Sequence, residues 1–170
     1  MAIAKLTVAR TDVSTTLPYE ELSQRFESTL GTWHPATAQG FIERRAPWPD
    51  VEAEAAKIAG TFGLMIIAAI NQGQLTSLSG QQKKCRLYLV GNPVIATRIL
   101  DIDPLAALYV PFRVAIYEGD GAGGAQISFD RPGSSLATLG NAKIDAIGRQ
   151  LDDKIDAVVQ AICGPGSERG

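Results

Sequence analysis

Apolar and polar residues alternate along several stretches of the chain, as they do in strands that bury only one face. The clearest alternation follows Pro111, where Phe112, Val114 and Ile116 are separated by polar or small residues. Residues 64–70 are apolar at every position, which predicts a strand that is buried on both faces. Together these patterns predict strands over residues 3–13, 64–70, 85–90, 112–117 and 126–129, with a short extra strand around Leu75 and Leu78 in the polar, turn-like region 74–84.

Apolar residues at intervals of three and four predict the helices. The most regular pattern lies near the C-terminal end, where Ile144, Ile147, Leu151 and Ile155 would share one face. Two earlier segments show the same spacing, and each begins at a residue that suits the first turn of a helix. Helices are therefore predicted from Pro18 to Gly31, from Asp50 to Phe62 and from Ile144 to Ile162.

Residues 32–49 show no steady period, and we therefore expect a long loop there. Trp33, Phe41 and Trp48 lie in this segment. Aromatic side chains of this kind either pin a loop to the body of a protein or cover a cavity. The sequence leaves both interpretations open.

Two helix-start patterns lie between the strands predicted at 85–90 and 112–117. In Asn92-Pro93 and again in Asp103-Pro104, a short polar side chain can cap the free N–H groups of a first turn, and the proline fills a position that needs no donor. This stretch therefore predicts a strand, a tight Gly-Asn-Pro corner, a short helix, a second turn and a returning strand.

The order of these elements predicts one α+β domain over residues 1–163, with a mostly antiparallel sheet and helices packed on one face. A glycine-rich turn at 119–124 joins the last two predicted strands as a hairpin. Residues 164–170 are polar and rich in glycine, which predicts a disordered tail.

Composition and charge exclude several classes of function. Sixteen basic and eighteen acidic residues give a net charge of −2 and a pI near 5.4, which argues against nucleic-acid and anionic-membrane partners. The first residues lack the apolar core of a signal peptide, and the longest apolar run, 64–70, is too short to span a bilayer. Cys85 and Cys163 are far apart and form no CxxC pair, so we expect reduced thiols in a cytoplasmic protein.

The chain offers little catalytic or metal-binding chemistry. It has one histidine, His34, so a base–nucleophile pair could only join His34 to Cys85, and zinc would lack ligands. The glycines of 119–124 lack the following Lys-Ser/Thr of a phosphate loop. We therefore predict no catalytic residue and no metal ligand, and we assign no cofactor.

The Gly91-Asn92-Pro93 corner and the elements that follow it resemble a known family. An apolar strand ends in Gly91-Asn92-Pro93, Tyr109-Val110-Pro111 comes after a short helix, and Val114-Ala115-Ile116-Tyr117 and Phe129-Asp130 follow in order. This pattern is similar to the bacterial family called domain of unknown function 302, over roughly residues 3–130. The resemblance implies a TATA-binding-protein-like fold, a curved antiparallel sheet with helices on one side, and a homodimer. It implies no biochemical activity.

One departure from the family pattern concerns the end of the strand at 64–70. Many relatives carry an Asp-His pair there, whereas this chain has Asn71-Gln72-Gly73, whose amides can only form hydrogen bonds. We expect Asn71 either to be drawn inward, to the polar end of a cavity, or to form only a turn.

Three functions are consistent with these observations. The first is a non-catalytic, homodimeric module that binds a small, largely apolar molecule between sheet and helices. The second is an enzyme with a site built from Asn71, Arg98, Tyr109 and Tyr117, and the third is a plain assembly module. The candidate ligand-binding residues are Asn71, Asn92, Arg98, Tyr109 and Tyr117.

Overall fold

One open sheet organises the described part of the chain, residues 3–80, 83–119, 124–164 and 168–169 of a computed structural model. Its strands are β1 (Arg10–Ser14), β2 (Gly31–Thr32), β3 (Met65–Asn71), β4 (Cys85–Gly91), β5 (Phe112–Glu118), β6 (Ala125–Asp130) and β7 (Glu168–Arg169). They lie in the order β2-β3-β4-β5-β6-β1-β7. The β2–β3 pair is parallel and all the other pairs are antiparallel, as predicted for a mostly antiparallel sheet.

Helices separate the strands. They are α1 (Tyr19–Thr29), α2 (Pro35–Glu43), α3 (Trp48–Ala59), α4 (Gln72–Thr76), α5 (Pro93–Leu100), α6 (Pro132–Ala137) and α7 (Ala142–Cys163), with 3₁₀ turns at Ser77–Ser79 and Pro104–Leu108. Among the described residues, none of these helices combines the length and the apolar character that crossing a bilayer would require.

The main core lies between one face of the sheet and helices α1 and α7. Alternate residues of β5 and β6, such as Val114 and Ile127, are fully buried against Phe26 of α1 and Ile155 of α7. This alternation follows from the pleat, which turns successive side chains of a strand to opposite faces. The α+β architecture with helices on one face is confirmed.

A second, smaller core joins α3 to the other end of the sheet. Ala55 and Ala59 of α3 are buried against Trp33, Met65 and Val94. Small side chains on α3 allow this close approach.

The predicted helix starts at Asn92 and Asp103 are confirmed. Asn92 Oδ1 accepts hydrogen bonds from the backbone N–H groups of Val94 and Ile95, at 2.9 and 3.4 Å. Asp103 Oδ1 accepts one from Leu105 N–H at 2.9 Å. Each side chain satisfies donors that the first turn of a helix cannot pair internally.

The strand predicted over residues 3–13 is wrong in its first half. Residues 3–9 are exposed and form no strand, and β1 begins only at Arg10, opposite Asp130 at the end of β6. Beyond Asp130 the chain turns into α6, so none of the described strands pairs with residues 3–9. The alternation of Leu6 and Val8 therefore lies on a segment outside the sheet.

Two segments that were expected to lack helices contain them. Residues 32–49 were predicted to be a loop but include α2, and α3 begins at Trp48 rather than Asp50. The short strand predicted around Leu75 and Leu78 is also wrong, because these residues belong to α4 and the 3₁₀ turn. There the hydroxyls of Thr76, Ser77 and Ser79 bond to carbonyls three residues earlier, which favours turns over strands.

Strand β3 is buried on both faces only over its first half. Met65 and Ile66 are buried, whereas Ile70 is 49% exposed. A β-bulge lies between Ile66 and Ala68, opposite β4. The fully buried strand predicted from the apolar run is therefore confirmed only where α3 and α5 cover it.

Two predictions fall partly outside the described residues. Most of the predicted hairpin turn, residues 120–123, lies outside them, while β5 and β6 pair as predicted. Residues 165–167 and 170 of the predicted tail also lie outside, and Glu168 and Arg169 pair with Ser14 and Val13 of β1.

Candidate functional site

A pocket beside the Gly91-Asn92-Pro93 corner is the candidate functional site, and we call it the corner pocket. It encloses about 260 Å³ between the helix-covered face of the sheet, α5 and α7. Its walls are almost entirely apolar and are formed by Trp33, Ile67, Val90, Gly91, Asn92, Pro93, Ile95, Ala96, Leu100, Val110, Pro111, Phe112 and Leu151.

The corner itself explains why space remains here. Asn92 ends β4 and starts α5, so the chain turns sharply away from the sheet at this point. Gly91 has no side chain to fill the gap, and a Cβ at this position would lie 3.4 Å from Pro111 Cβ. Two prolines and a glycine therefore form one wall without projecting into the pocket.

Trp33 closes the pocket on the side of β2. The indole is 6% exposed, and its backbone N–H donates to Ile66 O at 2.9 Å, so the residue extends the pairing of β2 with β3. Its ring stacks on Phe41 of α2, with 6.2 Å between centroids and an angle of 4°. The guanidinium of Arg44 lies 4.1 Å from the Phe41 centroid. Of the two roles left open for this residue, Trp33 has both, because it packs the 32–49 segment and covers a cavity.

Asn92 is the one side chain of the pocket wall with polar atoms apart from the indole of Trp33, and its amide is already engaged. Its oxygen caps α5, and its Nδ2 donates to Gly63 O at 3.1 Å. Among the described residues, no group of three or more His, Cys, Asp or Glu side chains is placed to hold a metal. The pocket can therefore exclude water from an apolar molecule, and its walls offer no acid, base or nucleophile.

The predicted site residues do not come together. Asn92 lies in the pocket wall. Tyr109 is half-buried beside the main core, where its Oη accepts a hydrogen bond from Thr138 Oγ1 at 3.3 Å. Arg98 is on the outer side of α5, where its side chain is 66% exposed and lies 3.6 Å from Glu52.

Asn71 and Tyr117 lie elsewhere. Asn71 is exposed and caps α4 by accepting Gln74 N–H at 3.0 Å, so of the two alternatives it forms a turn and is not drawn into the interior. A turn residue placed at the end of an exposed half-strand has water as an alternative partner and needs no buried one. Tyr117 is on the sheet face turned away from α1 and α7, where its Oη donates to Gln126 Oε1 at 2.8 Å. These positions give no common site for the enzyme hypothesis.

Most of the pocket wall was not identified from the sequence. Ile67, Ala96, Leu100 and Leu151 come from three separate elements, and nothing distinguishes them from other apolar core residues. An apolar pocket has no chemical signature in a single sequence. The feature that could have located it is the Gly-Asn-Pro corner, since it places a residue without a side chain next to a helix start.

Comparison with known proteins identifies the family pattern. A family model described as Domain of unknown function DUF302 matches residues 42–162, so the match extends through α7 but begins later than the resemblance at residues 3–130 suggested. The crystal structure of an uncharacterized conserved protein DUF302 from Bacillus stearothermophilus is similar, with a TM-score of 0.63 and 13% identity over 91% of this chain and 98% of that chain. No curated protein matches the chain. At this identity the likeness establishes the fold.

Proposed function

Because the chain belongs to the family described as Domain of unknown function DUF302, whose description names no activity, we propose from the geometry of the chain that it binds a small, largely apolar molecule in the corner pocket. The observation that carries this proposal is a cavity of about 260 Å³ with apolar walls, in which the amide of Asn92 is already hydrogen-bonded. Water can form few hydrogen bonds in such a space. An apolar molecule that binds there gains free energy in proportion to the apolar surface that it buries.

The volume limits the size of the ligand. At the ~30 Å³ that a water molecule occupies in the liquid, the corner pocket has room for roughly nine non-hydrogen atoms. That is the size of a monocyclic aromatic or a short branched hydrocarbon chain. Since Asn92 can offer one further N–H and the other wall side chains apart from Trp33 have no polar atoms, the part of the ligand inside the pocket is largely apolar.

Toluene is a suitable probe, because it has seven carbon atoms and no polar group. We expect saturable shifts of the amide resonances of Gly91 and Ala96 in nitrogen-15 NMR spectra during a toluene titration. Ala96→Leu, which fills the pocket from α5, should weaken binding by about tenfold or more. Ala161→Leu is the matched control, since it makes the same change at an exposed position of α7 and should bind toluene normally.

Two results would contradict the proposal. One is the absence of saturable shifts at the solubility limit of toluene, and the other is equal binding by wild type and Ala96→Leu. Organic extraction of protein purified from cells, followed by mass spectrometry, would identify a natural ligand. That ligand should be lost from Ala96→Leu and retained by Ala161→Leu.

We also propose that the chain pairs with a second copy. Leu108 and Leu105, on the 3₁₀ turn after α5, are 74% and 55% exposed, and the exposed Asp101 precedes this turn in the sequence. Ile42 is 69% exposed at the end of α2 and is followed by Arg44 and Arg45, so the chain carries one apolar patch next to an acid and another next to bases. Patches of opposite charge can pair between copies.

Sedimentation velocity at micromolar concentration tests this pairing. We expect a dimer, and Leu108→Asp should shift it to the 18.1 kDa monomer because it places a charge in the paired surface. Leu78→Asp is the control, since Leu78 is 84% exposed and belongs to neither patch. A monomer at every accessible concentration would contradict the pairing.

We propose that the protein is cytoplasmic. Cys85 and Cys163 are both free thiols, which suits a reducing compartment. Fractionation of cells that express the chain with an epitope tag would test this placement.

A further inference from the structure

The sheet face turned away from α1 and α7 carries a trough with an ordered floor. The strand register places Leu87, Ala115, Ser128 and Asp12 directly opposite one another on β4, β5, β6 and β1. Residues opposite one another in a sheet lie on the same face. The two central members of this row, Ala115 and Ser128, have short side chains, so the surface of this face has a depression at the middle of the row.

Taller side chains stand on both sides of this row. Arg113 and Arg10 flank Asp130 in the row at one side, and Tyr117 lies opposite Gln126 in the row at the other. The difference in side-chain length creates a concavity of about 300 Å³, which we call the sheet trough. It is on the opposite face of the sheet from the corner pocket, and it shares no wall residue with that pocket.

Charges of both signs line the sheet trough in alternation. Arg113 Nη2 donates to Asp130 Oδ2 at 2.9 Å, and Arg10 Nε donates to Asp12 Oδ2 at 3.0 Å. The side chains of the two arginines are 68% and 65% exposed, and those of the two aspartates are 36% and 39% exposed. The four charges therefore sum to zero, with the guanidinium groups nearer to solvent and the carboxylates deeper.

Hydrogen bonds fix the deeper groups in place. Ser128 Oγ donates to Asp12 Oδ1 at 2.6 Å, and Tyr117 Oη lies 3.0 Å from Ser128 Oγ. The hydrogen bond from Ser128 and the neighbouring Arg10 lower the pKa of Asp12. This carboxylate therefore stays ionised at neutral pH and is held over the floor of the trough.

From these positions we infer that the sheet trough is a second binding site, for a small zwitterion with an ammonium group, a carboxylate group and an apolar side chain, which is the chemistry of a free amino acid. A simple anion would be attracted by Arg10 and Arg113 but repelled by the two aspartates, and a simple cation would meet the reverse. A molecule with both charges gains from both signs.

Each part of such a ligand has a partner in the trough. Its ammonium group lies against Asp12 and Asp130, and its carboxylate accepts N–H groups of Arg10 and Arg113. A guanidinium has five N–H donors, and the ion pairs described above engage only part of them. Because exposed ion pairs contribute little stability, they can rearrange around a ligand at low cost. Leu87 and Ala115 then contact the apolar side chain.

L-Leucine and two analogues that each lack one charge test the inference. In 4-methylpentanoate the ammonium group is absent, and in isoamylamine the carboxylate is absent, while the branched chain is kept. We expect leucine to shift the amide resonances of Ala115 and Ser128 saturably, and to bind about tenfold more tightly than either analogue.

Two variants locate the binding. Arg113→Gln removes one charge from the wall and should weaken leucine binding about fivefold or more. Arg98→Gln is the matched control, because Arg98 is equally exposed, has a carboxylate neighbour, and lies on α5. Ala115→Leu should abolish binding by filling the floor, and Arg113→Gln keeps the test intact if Ala115→Leu does not fold.

The inference is overturned if leucine produces no saturable shift at about 20 mM, if either analogue binds as well as leucine, or if Arg113→Gln and Arg98→Gln behave alike. None of these results bears on the corner pocket, since toluene and leucine report on separate faces of the sheet.

Discussion

Tyr88 on β4 donates a hydrogen bond to Glu27 on α1, with 2.8 Å between Tyr88 Oη and Glu27 Oε1. The same carboxylate oxygen also accepts a hydrogen bond from Arg86, two residues earlier on the strand. The Tyr88 side chain is fully buried, so a phenolate at this position would have lost its hydration and would face a carboxylate. Burial, together with Glu27, raises the pKa of Tyr88 to about 12.

This relationship predicts a loss of stability at high pH. The phenol of an unfolded chain loses its proton near pH 10, whereas the folded protein holds the proton to about pH 12. The contribution of Tyr88 is therefore complete below pH 10 and falls as the pH rises through this window, by on the order of 2 kcal/mol. Urea unfolding between pH 9 and 12 should show that Tyr88→Phe is less stable than wild type at pH 9, by about 1 kcal/mol, and loses less stability above it. Parallel curves for the two proteins would contradict the assignment.

Gly31 should tolerate no side chain. A Cβ on Gly31 would lie 1.9 Å from the carbonyl oxygen of Ile58, near the C-terminal end of α3. Because backbone must move to relieve this clash, Gly31→Ala should lower the free energy of unfolding by about 3 kcal/mol or more. Thermal or urea unfolding measures the loss.

Gly40→Ala is the control for this effect. Gly40 lies inside α2, and the nearest atom to an added Cβ is Arg44 Nη1 at 3.6 Å. Alanine suits a helix interior better than glycine, so this variant should be unchanged or more stable by up to about 1 kcal/mol. Equal destabilisation by both variants would mean that the contact between Gly31 and Ile58 is not the cause.

Asn92→Ala should cost more than the loss of a helix cap alone. Asn92 caps α5 and also bonds to Gly63 O, whereas Asn141 caps α7 through the N–H groups of Lys143 and Ile144. We expect about 1 kcal/mol of destabilisation for Asn141→Ala and about 2 kcal/mol for Asn92→Ala, measured by urea unfolding. An equal or larger loss for Asn141→Ala would show that the bond to Gly63 contributes nothing.

Arg131→Gln should leave two mostly buried carboxylates without their cation, so that they repel each other. Arg131 lies between Asp156 and Asp152, at 2.6 and 3.5 Å, and all three side chains are mostly buried. Burial raises the pKa of Asp152, against the opposing effects of Gly133 N–H and Arg131. Removing the guanidinium should cost about 2 kcal/mol at pH 7. The deficit should shrink as the pH falls toward the ordinary aspartate pKa, because protonation removes the unpaired charges.

Exposed Arg149, on the same helix α7 as Asp152 and Asp156, provides the comparison. Arg149→Gln should change the free energy of unfolding by less than about 0.5 kcal/mol. A pH-independent deficit in Arg131→Gln would indicate lost packing rather than unpaired carboxylates.

Local patterns predicted the elements whose causes are local. The helix over Ile144–Ile162 appears as α7 because its apolar stripe is buried in the main core from Ile144 to Ile162. Asn92 and Asp103 start their helices because a cap needs only the next three residues. In each case, the residues that determine the structure are neighbours in the sequence.

The predictions that were wrong depended on distant partners. Residues 3–9 have the pattern of a strand, but β6 ends before it can pair with them. Ile70 belongs to an apolar run, yet nothing among the described residues covers it as α3 and α5 cover Met65. Whether a strand is paired and covered depends on segments that are distant in the sequence. The periodicity of the strand itself does not identify those segments.

The candidate site was even less accessible to sequence reasoning. Of the five residues predicted to bind ligand, Asn92 lies in the corner pocket and Tyr117 lies in the sheet trough. Polar residues were favoured as candidates because their chemistry is recognisable. The corner pocket instead exists because Gly91 has no side chain and Ala96 has a short one. The sheet trough exists because the side chains of its floor are short.

The outer edge of β3 affects whether chains can add to one another as strands. β2 pairs only with Met65 and Ile66, so among the described strands none lies along the outer edge of β3 from Ala68 to Asn71. An uncovered edge with an exposed residue such as Ile70 is a template on which further chains can add as strands and grow into fibres. The bulge between Ile66 and Ala68 bends and twists β3 where this edge begins, which makes it a poor match for a straight incoming strand. We expect deletion of Ile67 to remove the bulge, straighten this edge and so favour the addition of strands from other chains.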